Sequence, residues 1–184
     1  YSLDHPIGNI QPDLLMSVTP SFTYKGFTLS ALFDMKFGGD VVSVSEAIAT
    51  SHGISKRTEQ RGELLLPGMN EDGTVNTQRI DAQLFYQAVG GRQQAVAEEF
   101  VYDASFIRLK EISFGYSFPS LLLRKTPVSS LRVSFVGRNL AYLMKHTPGT
   151  SPEGGYDTSM FSQALDFSSL PYSRTFGFSI NVGF

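Results

Sequence analysis

Arg174-Thr175-Phe176-Gly177-Phe178-Ser179-Ile180-Asn181-Val182-Gly183-Phe184 is the stretch that decides the fold. Phe176, Phe178, Ile180, Val182 and Phe184 occupy every second position. Thr175, Gly177, Ser179, Asn181 and Gly183 fill the gaps. A strand sends successive side chains to opposite faces, so this segment has one apolar face and one small polar face. The wet face of a soluble sheet normally carries long charged residues, and this polar face has almost no bulk and no charge. Such a face is crowded or enclosed, as inside a membrane barrel whose lipid-facing and lumen-facing residues alternate. The last strand of a soluble β-sandwich is the other reading of the same stretch.

Working outward, the same alternation recurs. Leu14, Met16, Val18, Phe22 and Tyr24 oppose Ser17, Thr19, Ser21 and Thr23. Pro20 falls within this run and cannot donate to a ladder, which predicts a bulge or an unpaired edge. Lys25-Gly26 reads as a tight turn. Phe27, Leu29, Ala31, Phe33, Met35 and Phe37 then oppose Thr28, Ser30, Asp34 and Lys36, completing a hairpin with one apolar face. A third strand spans 104–118, with Ile112, Phe114, Tyr116 and Phe118 on one side. Its phase reverses earlier, where Ile107 and Leu109 oppose Arg108 and Lys110. Either a bulge near Lys110 resets the face, or Arg108 and Lys110 point outward above the hydrocarbon layer. A fourth strand spans 131–143, with Leu131, Val133 and Phe135 opposite Arg132, Ser134 and Arg138.

The connections alternate in length: two residues, about sixty (38–104), about ten, and about twenty-five (145–171). Alternate connections of an up-and-down sheet lie on one edge. Both long loops therefore share one side, as in outer-membrane barrels with short periplasmic turns and long extracellular loops. The first long loop is expected to be partly helical, at Ser45–Thr50, at Asp81–Val89 before Gly90-Gly91, and over 92–100. A loop of this length is usually functional.

Composition agrees. The 184 residues include 15 Phe, 8 Tyr and 17 Gly but no Trp, a mixture that favours strands and turns. There is no Cys, hence no disulfide framework and no thiolate metal site. A formal net charge of -2 argues against a nucleic-acid partner. No run approaches the roughly 18 apolar residues of a membrane helix. A mean hydropathy of -0.06 is compatible with barrel strands, whose alternation averages out. The chain opens on Tyr1-Ser2-Leu3-Asp4 without a signal peptide, as expected of a segment that starts within a longer protein.

Chemistry-bearing constellations are few. His5, His52 and His146 are scattered and lack metal spacing. Adjacent Glu98-Glu99 reads as a solvated turn. Asn70 to Thr74 lacks the alternating ligands of a calcium loop and reads as an Asp-Gly turn. No phosphate loop, dinucleotide fingerprint or nucleophile elbow is present. No cofactor is expected. A barrel hydrolase would need a nucleophile beside a base, which the scattered histidines do not supply. Arg132 and Arg138 share the polar face and point into the lumen, where they line water or contact whatever fills it. Tyr86, Tyr102 and Tyr156, placed on loops, are candidates for stacking on a ligand.

In this order and spacing the motifs resemble the SusC/RagA-type TonB-dependent transporters of Gram-negative outer membranes. The matching stretches are Ile7-Gly8-Asn9 with Pro12-Asp13, Phe22-Thr23-Tyr24-Lys25-Gly26-Phe27, and Phe33-Asp34 with Gly38-Gly39-Asp40. Asn70-Glu71-Asp72-Gly73-Thr74 with Asn76-Thr77 follows. Then come Tyr102-Asp103-Ala104-Ser105-Phe106-Ile107-Arg108-Leu109-Lys110-Glu111, Gly115-Tyr116, Gly137-Arg138-Asn139-Leu140 and the final alternating run. The resemblance implies that residues 1–184 are the C-terminal part of an all-β, antiparallel up-and-down transmembrane barrel, about five strands of roughly 22. It implies an importer of oligosaccharides or peptides, not an enzyme. Its partners would be a SusD-type surface lipoprotein lid, TonB acting through a plug domain outside this chain for which Arg132 and Arg138 are contact candidates, the remaining barrel strands, and the bilayer with its lipopolysaccharide. It also implies that Phe176, Phe178, Ile180, Val182 and Phe184 act as the assembly signal read during insertion. A soluble or surface-anchored β-sandwich that binds glycans is the alternative.

Overall fold

The computed structural model describes residues 5–91, 96–149, 151–156, 159 and 162–184. In chain order the elements begin with β1 (Leu14–Val18), β2 (Ser21–Tyr24), β3 (Phe27–Phe37), β4 (Asp40–Ser43) and α1 (Val44–Ser51). Next come β5 (Glu63–Leu65), β6 (Arg79–Asp81), α2 (Ala82–Val89) and β7 (Val101–Asp103). The last are β8 (Phe106–Ser117), α3 (Ser120–Leu123), β9 (Ser130–Lys145), β10 (Leu165–Asp166) and β11 (Thr175–Gly183). They group into two compact units. One contains residues 11–39, 104–146 and 171–184; the other contains residues 1–10, 40–103 and 147–170.

The first unit is an antiparallel meander in the order β1-β3-β8-β9-β11. β1 and β2 both pair with β3 and form one edge, interrupted at Thr19-Pro20. The break has the predicted cause: Pro20 has no N–H to donate, and only its carbonyl serves the ladder, accepting from Ala31 N at 3.1 Å. Lys25 and Gly26 both take positive φ (46° and 89°), the two-residue turn whose twist matches the flanking strands. β11 forms the opposite edge, so the sheet is open on both sides.

Register then places the apolar residues in rows that cross the sheet. Phe178, Phe135, Phe114, Leu29 and Phe22 form one row, and Ile180, Val133, Tyr116, Phe27 and Tyr24 the next. Neighbouring rings touch, with centroids 5.3 Å apart for Phe135–Phe178 and 4.5 Å for Phe27–Tyr116. Their outer surfaces are bare: Phe178 is 81% exposed and Phe22 67%. A contiguous apolar face of this kind is not left in water by a soluble domain.

The open question at Lys110 is resolved in favour of a bulge. Leu32 pairs with Glu111 and Phe33 with Leu109, leaving Lys110 as the extra residue. On the other side, Asn139 and Leu140 are skipped between Glu111↔Arg138 and Leu109↔Ala141. Asn139 takes φ 54°, a conformation that Asn tolerates better than most residues. The bulge lets Ile107 and Leu109 share a face with Ile112 and Phe114, although their spacing in the sequence is out of phase.

The second unit gathers both long excursions. β10, from the second, joins β4 and β7, from the first, in a small sheet. Helix α1 is capped by Ser43, whose hydroxyl accepts from Glu46 N at 3.1 Å. Helix α2 is capped by Asp81 through Leu84 N at 3.0 Å. Both helices fall where the sequence places them. Of the third expected helix, residues 92–95 lie outside the described residues, and Ala97–Phe100 is a single 3-10 turn. Leu64, Ala82 and Tyr86 form a buried cluster, with Leu66, Ile80 and Phe85 packed against it.

Gly90, at the C-terminal end of α2, sits against the backbone of α1. A Cβ there would lie 2.7 Å from the Ala47 carbonyl oxygen and 2.8 Å from Ser51 N. Both obstacles are backbone and cannot rotate away. Gly90→Ala is therefore expected to force α1 and α2 apart at a cost of about 1–3 kcal/mol. Amide exchange on the full-length protein should show faster exchange in both helices and unchanged exchange in β8 and β9.

Candidate functional site

The polar face of the sheet carries two ionic clusters. Arg138 stands directly opposite Glu111 on β8 and donates from Nε to Oε2 at 2.8 Å. Arg132 lies on the same face, its guanidinium over Gly115, where a Cβ would sit 3.3 Å from Nε. The structure thus brings the two predicted arginines onto one face and commits Arg138 to an in-sheet partner.

The larger cluster was not singled out from the sequence. Asp34 on β3 accepts from Ser17 Oγ at 2.6 Å, from Lys110 Nζ at 2.6 Å and from Arg108 Nη2 at 3.2 Å. Arg108 is 5% exposed. Its guanidinium faces the rings of Phe106, Tyr142 and Tyr172 at 6.0, 5.9 and 5.3 Å. Only the bulge allows Arg108, Lys110 and Glu111 to crowd one face. The available signal was the pairing of Asp34 with the two basic residues of the next strand, and the unresolved phase at Lys110 concealed it.

In the second unit the tyrosines separate. Tyr86 is not a loop residue. It lies four positions after Ala82 on α2, so helical period turns both to the same buried side. It is 9% exposed and donates its hydroxyl to the Arg57 carbonyl at 3.0 Å. Most of its ring is therefore packed in the core, and the remainder lines the cleft of this unit. Tyr102 lies on β7 opposite Val41, half-buried. Burial raises its phenol pKa above the usual value, and the Glu46 carboxylate adds to the effect. Tyr156 is 60% exposed and meets Phe167 edge to face at 5.5 Å. The Arg57 guanidinium lies over Phe100 at 5.0 Å and pairs with Glu99 at 2.9 Å, so Glu99 belongs to an ion pair. The turn at Asp72 is held by Thr74, which donates its N–H and hydroxyl to Asp72 Oδ1 at 2.9 and 2.6 Å. These bonds lower the Asp72 pKa.

One cleft in this unit, of about 610 Å³, is lined by His52, Arg61, Asp81, Gln83, Tyr86 and Gln87 among others. Arg61 donates to the Gly53 carbonyl at 2.7 Å and closes one side. Among the described residues, no three His, Cys, Asp or Glu side chains are grouped to hold a metal ion. The chemistry on view is ionic pairing and ring contact.

No family model matches the chain. Over 183 residues it is 30% identical to TonB-dependent receptor P3 of Formosa agariphila, a match covering 97% of this chain and 17% of that protein. The fold matches a structure of the RagAB peptide importer in the closed-closed state, with TM-score 0.65 and 19% identity over 99% of this chain and 19% of the other. The open-open state gives TM-score 0.66 at the same identity, over 100% of this chain and 19% of the other. The chain therefore spans under a fifth of the length of the relatives it matches.

The two ionic clusters should differ sharply in weight. Asp34→Ala removes the one carboxylate that accepts from Arg108, Lys110 and Ser17 together, and breaking a largely buried ion pair costs about 3–5 kcal/mol. Glu111→Ala frees an Arg138 side chain that is already 63% exposed, worth about 0.2–1 kcal/mol. Heat-modified gel mobility of the full-length protein should show Asp34→Ala unfolding at clearly lower temperature and Glu111→Ala near wild type. Equal effects would remove the Asp34 cluster from its structural role.

Proposed function

We propose that the chain is a wall and outer-loop portion of a nutrient importer of the SusC/RagA type, among the TonB-dependent transporters of the Gram-negative outer membrane, a reading supported by its similarity to TonB-dependent receptor P3 and by the shared fold of the RagAB importer. The observation that carries this reading is the open, antiparallel meander with one continuous bare apolar face and one small polar face. Lipid solvates the first face and an enclosed lumen the second. Both open edges pair with further strands of the same barrel, because unpaired backbone is not tolerated in hydrocarbon.

Residues 38–104 and 145–171 lie outside the cell, under a SusD-type lipoprotein lid. The short connections at Lys25-Gly26 and 118–129 face the periplasm. The cargo is an oligosaccharide or a peptide, met by exposed Tyr156 and half-buried Tyr102. Arg132 and Arg138 face a plug domain through which TonB supplies the energy. Phe176, Phe178, Ile180, Val182 and Phe184 contact acyl chains and form the row read during insertion.

Import is tested by uptake of labelled oligosaccharides and peptides into cells that express the full-length protein. Uptake should stop when TonB is deleted or the proton-motive force is collapsed, while surface binding persists. Uptake that survives both treatments would rule out TonB-driven transport.

The face assignment has a test of its own. Phe178→Lys places a charge at the apolar face, costing about 2–4 kcal/mol near the bilayer midplane. Ser179→Lys places the same charge one residue along, toward the lumen. The amount of folded protein in the outer membrane should fall for Phe178→Lys and hold for Ser179→Lys. The opposite ranking would invert the faces.

A further inference from the structure

The two long excursions leave the sheet at different strands, yet they are fastened to each other at one buried point. Asp166 of β10 is 1% exposed, as is Ser43. The Ser43 hydroxyl donates to Asp166 Oδ2 at 2.7 Å, across 123 residues of sequence. The same Ser43 oxygen caps α1 by accepting from Glu46 N. Around this pair, Val42 N donates to the Ala164 carbonyl at 2.8 Å and Ser168 N to Ser45 Oγ at 2.7 Å. Leu165 and Asp166 run parallel to Val42 and Ser43. A two-residue parallel pairing is too short to hold by itself, so the side-chain bonds carry the attachment.

The attachment is also incomplete. Asp166 Oδ1 is buried with no hydrogen-bond partner among the described residues. A buried carboxylate with an unsatisfied oxygen is costly, even beside the positive end of a helix. It adds little net stability, yet breaking it by removing one partner is expensive. This combination specifies a register and can be released as a unit.

We propose that Ser43 and Asp166 form a latch that makes the two long excursions one body, so that neither rearranges without the other. The latch sets the register of β10 against β4. Through β10 it positions Phe167 and the Tyr156 ring packed on it, while Tyr102 sits on the other neighbour of β4. Asp166 is thus a positioning residue for exposed Tyr156 on one excursion and half-buried Tyr102 on the other. That these rings meet cargo outside the cell rests on the transporter reading; the coupling itself does not.

The coupling is tested by amide exchange on the purified full-length protein in detergent, which depends on neither topology nor import. Ser43→Ala, Asp166→Ala and the double variant are compared. Asp166→Ala should accelerate exchange at Val42 and through α1, and Ser43→Ala at Ser168, each by about tenfold or more. The double variant should be no worse than Ser43→Ala, which already removes both the shared bond and the α1 cap. Acceleration confined to the mutated excursion, or effects that add, would overturn the latch, and so would wild-type exchange in Asp166→Ala. If exchange behaves as expected, uptake should show a raised KM with an unchanged maximal rate in Asp166→Ala. Uptake that is absent even in wild type would count against the importer reading and leave the latch standing.

Discussion

Every strand of the main sheet must satisfy its backbone within the sheet while presenting apolar side chains to one side, with no other layer of the unit packed over them. The rows through Phe178 and Ile180 cross the sheet without interruption, and their outer surfaces meet nothing. Water is the wrong solvent for that face, and hydrocarbon is the right one. The rest follows from this constraint. The opposite face must be small or internally paired, and the edges must find partners.

Within that frame, charge on the polar face is handled by pairing across strands. From β3, Asp34 gathers Ser17 of β1 and Arg108 and Lys110 of β8. The bulge at Lys110 is the device that makes the gathering possible. It adds one residue to β8, restores the apolar phase below it and leaves two cations beside one carboxylate. The aromatic ring set around Arg108 then keeps that guanidinium from water without leaving it unsupported. A local irregularity thus serves both the outer face and the inner one.

The long excursions obey the rules of soluble structure. Their helices are short and capped by side chains, their core is the small cluster around Leu64, Ala82 and Tyr86, and their sheets are two and three strands wide. Segments this small gain stability by combining. Among its described residues, the second excursion contributes β10 to the common sheet, where side-chain bonds reinforce its short pairing with β4.

Much of this was legible in the sequence, because alternation is a local property of a strand. The final run from Arg174 to Phe184, the hairpin across Lys25-Gly26, the break at Pro20 and the positions of α1 and α2 all follow from period, turn chemistry and caps. Arg132 and Arg138 could be set on one face by counting. What the tertiary structure alone decided depends on residues far apart in the chain. The bulge at Lys110 is defined only against its neighbours β3 and β9. The Asp34 cluster needs that bulge. Tyr86 is mostly buried because α2 packs on β5 and β6, a contact that the helical period of α2 alone does not reveal. The Ser43–Asp166 contact joins two segments whose local sequences give no sign of each other. Periodicity fixes which way a side chain points; only the folded chain fixes what it meets.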